Sequence, residues 1–344
     1  MARAAEEDVV TSAVHRGRSR RRVRYGVAVA LTLVVGVAAA VVGVLTGSFQ
    51  ASPAEVTSAL QGNGDARTTL VVLGMRMPRI AAALLIGAAL GLAGAVFQTL
   101  ARNPLASPDI VGFSAGSATG ALIGLTLIAP TASPAPGAWI GGLLTVAVVM
   151  LIARSAGVSK ERTILAGIAL AILLSAVNDY LLTRAPLEVA RNASQWLYGS
   201  LTATSGADVV TLAVSVGVLA VGIAVVHRDF RAIELGDDTA RALGVRLGRV
   251  RLFLIVIAAL LTGAATAVAG PIGFVALAAP QLARRVTGSS GIPLLASAVT
   301  GATVLLVADV IAQRALAPLQ IPVGLLTGVV GGAYLFWVVA RGRR

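Results

Sequence analysis

The chain has 344 residues, 57% of them hydrophobic and only 12% charged, with a mean hydropathy of +0.87. Soluble domains sit at roughly 45–50% apolar and 25% charged, so a soluble enzyme is excluded and a polytopic membrane protein is left. The formal charge of +13, almost all from arginine, would suggest nucleic acid in a soluble chain; in a membrane chain it marks the basic ends of helices on the cytoplasmic side.

Apolar runs of about 20 residues recur along the whole length, each enough for a hydrocarbon core of about 30 Å. They lack the alternation of a barrel strand, so the spans are helices. Residues 1–24 form a basic cytoplasmic tail with Arg16, Arg18, Arg20, Arg21, Arg22 and Arg24. The apolar run 25–45 that follows is longer than a signal-peptide core of about 7–15 residues, and reads as an uncleaved first span. Residues 46–79 are a polar stretch with a short helix at 53–60. Further spans are predicted at 80–100, 110–129, 138–153, 163–182, 208–226, 252–269, 274–287, 292–312 and 322–340. Together they make an all-α polytopic protein of ten transmembrane helices in a single membrane domain, 25–344. With the amino terminus inside, 22 of the 28 Lys and Arg residues fall on the inner side and 6 on the outer. The positive-inside rule then gives both termini inside. Gly87-Ala88-Ala89 with Ala93-Gly94 recurs as Gly263-Ala264-Ala265 with Ala269-Gly270 in helices of opposite direction. This is a weak inverted repeat of the kind transporters use, or a coincidence of small residues.

Several stretches stand out from this pattern. Arg76 and Arg79, with Arg314, are basic positions on the predicted outer side. They suit an acidic partner, an anionic solute or lipid headgroups. Arg102-Asn103-Pro104-Leu105 lies at the predicted inner side, and Pro104 forces the residue before it out of the helix. Such a turn suits a gate as well as a plain helix connection. Gly112, Gly116, Gly120 and Gly124 mark one helix face for close packing, a subunit interface or a conduit wall. The inner loop 227–251 holds a short helix over 235–244. Asp237 is placed to cap its start and Gly244 its end, while Leu235, Ala240 and Leu243 form a small apolar patch. It reads as an interfacial helix on lipid or a knob for a cytoplasmic partner.

The chain contains no cysteine and two histidines, His15 and His227. It therefore lacks the usual ligands for a bare transition metal or for haem iron, and a metal crossing here travels inside a chelate. Asp179 and Asp309 sit near predicted outer helix ends, and no acid–base chain lies at mid-depth, which argues against a proton-coupled pump. No Gly-x-x-x-x-Gly-Lys-Ser/Thr segment occurs, so any ATP is bound by another subunit.

These pieces together resemble the FecCD/BtuC family of ABC importer permeases, over about residues 47–341. The resemblance rests on Arg76-Met-Pro-Arg79, on Gln98 with Arg102-Asn-Pro-Leu-Ala-Ser-Pro108, and on Trp196-Leu-Tyr-Gly-Ser200. It continues through Leu235-Gly236 with Ala240 and Leu243-Gly244-Val245, Gly270-Pro-Ile-Gly-Phe-Val275, Ala308-Asp309 and Pro322-Val-Gly324. It implies a type II ABC importer permease fold, with two permease subunits around one path and two cytoplasmic ATPase subunits that bind ATP and magnesium. It also implies an extracytoplasmic solute-binding protein, and no catalysis, metal site or nucleic acid in this chain. Leu235, Gly236, Asp237, Ala240, Leu243 and Gly244 correspond to the coupling helix that fits the ATPase. Arg76, Arg79 and Arg314 correspond to the docking arginines, and Arg102, Asn103, Pro104 and Leu105 to part of the cytoplasmic gate. Gln281 and Gln320 stand where many members have His and Glu, and Gln313 stands where the third docking arginine falls, with Arg314 one step later. Pro280-Gln281-Leu-Ala-Arg-Arg285, Ala312-Gln313-Arg314 and Gly331-Gly332-Ala-Tyr-Leu335 resemble one branch in particular, the second permease subunit of ferric enterobactin-type systems, and that resemblance implies a catecholate siderophore and a paralogous permease as partner. The alternatives are haem or cobalamin on the same fold, or a secondary transporter driven by an ion gradient.

Overall fold

The computed structural model describes residues 2–47, 49–128, 133–154, 160–316 and 319–341. Among these the regular elements are helices, save one isolated bridge between Leu316 and Leu319.

Helix α1 runs without interruption from Ala2 to Leu45, so the basic tail is a continuation of the first span rather than a separate segment. No proline breaks it, and its Ala, Arg and Glu residues favour helix. Helix α2, Pro53–Leu60, occupies the predicted range and opens with a capping box between Ser52 and Glu55. Helix α3, Ala66–Thr69, leads through a π-helical turn at Leu70–Arg76 into α4, Met77–Ala101. The second span therefore begins at Ala66 rather than at 80. The π turn sits just ahead of Pro78, which has no N–H for the α ladder, and the Met77 N–H reaches back to the Val72 carbonyl.

A 3-10 turn at Pro108–Val111 precedes α5, Phe113–Ile123, which widens into a second π turn at Gly124–Ile128. Helices α6, Ala135–Arg154, and α7, Lys160–Arg184, follow. Helix α8, Leu187–Leu197, lies between the spans predicted at 163–182 and 208–226, where the sequence predicts no helix. Its Val189, Ala193, Trp196 and Leu197 recur at helical spacing, but the helix is short and mostly polar, so a hydropathy window passes over it. Then come α9, Gly206–Val225, α10, His227–Leu235, and α11, Asp237–Ala242. The last four are α12, Leu247–Ala269, α13, Val275–Thr287, α14, Leu294–Ala312, and α15, Val323–Arg341.

Each of the ten predicted spans falls on a helix. By length and composition seven of the described helices suffice to cross a membrane, and the apolar stretches of α5 with its π turn and of α15 are shorter.

Helix α4 is the axis of the molecule. Its most apolar window is 78% buried and that of α12 is 67% buried. It packs against α14, α12, α13 and α9, and its small residues allow this. A side chain at Gly87 or Gly91 would run into the Gly301 or Ser297 carbonyl of α14, and one at Gly94 into the Ala276 carbonyl of α13. Pro280 cannot donate to that Ala276 carbonyl within the helix, which leaves it facing the bare Cα of Gly94. The glycine-spaced face of α5 is likewise a packing face. Gly116 and Gly120 sit against Gly137, Gly141 and Thr145 of α6, Gly112 sits against Ala171 of α7, and Gly124 faces open space.

Candidate coupling, gate and docking sites

At the end of α4 the chain turns sharply. Arg102 adopts a left-handed conformation (φ 51°, ψ 32°), and the N–H groups of Arg102 and Asn103 bond back to the Thr99 and Gln98 carbonyls. This is a Schellman closure with arginine where glycine is usual. Pro104 then holds the turn, and the Asn103 side chain accepts from the Leu105 N–H at 2.9 Å. A non-glycine residue in this region costs about 1–2 kcal/mol, so something outside the turn must hold it.

That something is α11. The Arg102 guanidinium donates to Oδ1 of Asp237, the first residue of α11, and Arg251 of α12 donates to the same oxygen at 2.7 Å. Asp237 therefore does not cap the helix, as the sequence suggested; its carboxylate ties α11 to the ends of α4 and α12. Gly236 (φ 124°) and Gly244 (φ 83°) bracket the knob with backbone angles that L side chains rarely adopt. Leu235 and Leu243 are 69% and 63% exposed, whereas Ala240 is fully buried and contributes nothing to the outer surface. The knob is anchored through α10, whose Phe230 and Ile233 are fully buried.

The Arg76–Arg79 pair lies at the opposite end of α4. The Arg79 guanidinium forks onto the Asp309 carboxylate of α14 through bonds of 2.8, 2.9 and 3.2 Å, and Gln313 donates to the same carboxylate at 2.8 Å. The Asp309 side chain is 1% exposed. Arg76 donates to the carbonyls of Val44 and Phe49. Both arginines are thus engaged within the chain and half-buried, while Arg314 is exposed and donates to the Val42 carbonyl at 3.1 Å. The Arg79–Asp309 and Arg102–Asp237–Arg251 pairings were not read from the sequence. The available signal was a lone acid in an apolar helix, which demands a partner without naming it.

Gln98 is buried in α4. It donates to the Leu277 carbonyl at 2.9 Å and accepts from Gln281 of α13. Three distant motifs also meet at one backbone junction. The Ser200 N–H bonds the Ala269 carbonyl at 2.8 Å and the Gly324 N–H bonds the Gly199 carbonyl at 3.0 Å. A side chain at Gly270 would strike the Trp196 carbonyl.

A bundle of long apolar helices around a central helix rich in Ala and Gly, with a polar knob held at one end, defines a multi-pass membrane permease. The FecCD transport family matches residues 44–341, and the chain belongs to that family, whose members are permease subunits of ABC importers. It is 41% identical over 309 residues to the ferric enterobactin transport system permease protein FepG of Escherichia coli (strain K12), covering 90% of this chain and 94% of that one. Two Fe(3+)-citrate import system permease proteins of Bacillus subtilis (strain 168) are also similar. YfmE is 35% identical over 326 residues (93% and 97% of the two chains), and YfmD is 33% identical over 279 residues (80% and 82%). A solved inward-facing structure assigned to a metal-chelate type ABC transporter superposes with a TM-score of 0.79 at 27% identity, covering 91% of this chain and 98% of that one. The protein is a multi-pass inner membrane protein.

Proposed function

We propose that this chain is a membrane subunit of an ATP-driven importer that moves a ferric siderophore of the catecholate, enterobactin type across the cytoplasmic membrane. It performs no bond chemistry. Two ATPase subunits would bind ATP and magnesium, dock on the knob where Leu235 and Leu243 flank α11 and are exposed, and push on the end of α4. One observation carries this mechanism: Asp237 joins the docking knob to the Arg102 turn, so a displacement of α11 would pull on that turn. ATP binding would then bias the path between outward-open and inward-open states.

The similarity to a ferric enterobactin permease supports this cargo. A heterodimer with a paralogous permease is favoured because two different permeases of one Fe(3+)-citrate system both resemble this chain. The charge bias supports both termini on the cytoplasmic side. An extracytoplasmic binding protein would dock at the opposite end, near Arg314, Arg76 and Arg79.

The test is uptake of radiolabelled iron as ferric catecholate, ferric citrate and haem, in cells lacking the gene and complemented with it or with Leu243→Glu. Loss of ferric catecholate uptake alone, restored by the natural chain and not by Leu243→Glu, supports the proposal. Unimpaired uptake through Leu243→Glu, or loss of another cargo alone, overturns the coupling or the cargo assignment respectively. Leu243 is the cleaner site than Gly244, whose positive φ makes any side chain a folding problem.

A further inference from the structure

A cavity of about 590 Å³ opens beside α1, α10 and the turn between α13 and α14, and the transport reading does not use it. Four basic side chains line it: Arg21, Arg22, His227 and Arg231. Arg231 is partly neutralised by Glu234 at 2.6 Å, whose other oxygen takes the Ile292 N–H at 3.1 Å. Arg21 and Arg22 are exposed on α1. Across the cavity, Ser289 and Ser290 lie just ahead of α14. That helix has no side-chain cap, and its first backbone bond runs from the Ser297 N–H to the Pro293 carbonyl. The N–H groups of Leu294, Leu295 and Ala296 thus have no acceptor in the helix, and the positive end of its dipole faces the arginines. Arginines, hydroxyls and free N–H groups around one space make a binding site for a phosphate.

The position of the cavity says which phosphate. It lies where two spans begin, at Arg20 for α1 and Leu294 for α14, and so at headgroup depth. Its wall includes Leu295, which is 62% exposed, and α1 continues toward the bilayer through Val23 and Val27, 63% and 52% exposed. A free anion has no use for the exposed apolar side chains of Leu295, Val23 and Val27 beside it, whereas an acyl chain does. We propose that this cavity holds the phosphate of an anionic phospholipid, with its acyl chains lying along α1 and α14.

The full chain, reconstituted in nanodiscs of phosphatidylcholine with a minor fraction of spin-labelled phosphatidylglycerol, is compared with an Arg21→Gln/Arg22→Gln double variant and with Arg191→Gln as a control outside the cavity. The double variant is expected to bind the labelled lipid about 30-fold more weakly, the equivalent of losing two arginines at an anionic surface. Arg191→Gln and Arg22→Lys should keep the immobilised fraction. Equal immobilisation in the natural chain and the double variant would overturn the site. Displacement of the label by millimolar inorganic phosphate, with spin-labelled phosphatidylcholine equally immobilised, would overturn the lipid assignment in favour of a free anion. The exposed double variant is checked for an unchanged melting temperature; if it melts early, Ser289→Ala/Ser290→Ala replaces it and must weaken binding for the site to stand.

Discussion

Arg79 and Asp309, 230 residues apart in sequence, meet in a forked ion pair whose carboxylate is almost completely shielded from solvent. Breaking such a pair from one side leaves a buried charge without compensation, at a cost of roughly 3–5 kcal/mol. Arg79→Ala should therefore lower the melting temperature sharply and reduce the amount of folded protein in membranes. An Arg79→Met/Asp309→Leu double variant should recover most of that loss. If Arg79→Ala melts like the natural chain and loses only uptake, its role is docking and not architecture.

Arg314 provides the contrast. It is exposed and makes one bond to a backbone carbonyl, so Arg314→Ala should change stability by no more than about 0.5 kcal/mol. If this face receives the binding protein, the same variant should weaken capture of that protein in a pull-down from proteoliposomes. Unchanged capture would remove Arg314 from the docking surface.

Arg102→Gly separates backbone from side chain at the α4 turn. Glycine relieves the left-handed strain, so the protein should be as stable as before or slightly more so. The tie to Asp237 is lost, and uptake should fall by about tenfold, in the range that mutations along a coupled network produce. Asp237→Asn should behave alike, and Arg102→Lys should retain more transport than either. Full uptake by Arg102→Gly would make the tie an incidental surface pair.

The glycine face of α5 predicts opposite results four residues apart. A Cβ at Gly120 would collide with the Gly137 carbonyl, while one at Gly124 meets nothing within 4 Å. Gly120→Ala should destabilise by about 1–3 kcal/mol, and Gly124→Ala should leave the melting temperature unchanged or slightly raised, since alanine fits this helical position without a clash. Equal effects would mean that α5 and α6 do not approach as closely as described.

Asp109 follows the Arg102–Leu105 turn, tucked against Ser107 and Ser114. Burial pushes its carboxyl above the ordinary value of 3.8, with the Ser114 and Ser107 hydroxyls pulling it back. The folded state then holds this proton more tightly than the unfolded one. The contribution is most favourable below about 3.8 and is lost as pH rises from there through the folded value. Asp109→Asn should abolish that segment of the pH–stability curve and raise stability above it. A curve of unchanged shape would mean that Asp109 is hydrated.

Much of this protein was legible in one dimension. The apolar character of the long helices, the short helix at Pro53–Leu60, the Arg102–Leu105 turn and the glycine end of the knob at Gly244 all depend on residues within a turn or two of one another. Helix α8 escaped because its apolar stripe is short, and α3 with its π turn because Arg76, Pro78 and Arg79 look like an end to a helix. What tertiary structure alone decided is which of these local features touch. Ala240 proved to be buried, Asp237 became a tie between two arginines, Arg79 found Asp309, and Gly199, Gly270 and Gly324 formed one junction. Periodicity and backbone preference are set by neighbours along the chain, whereas such contacts depend on the depth and rotation of helices packed side by side.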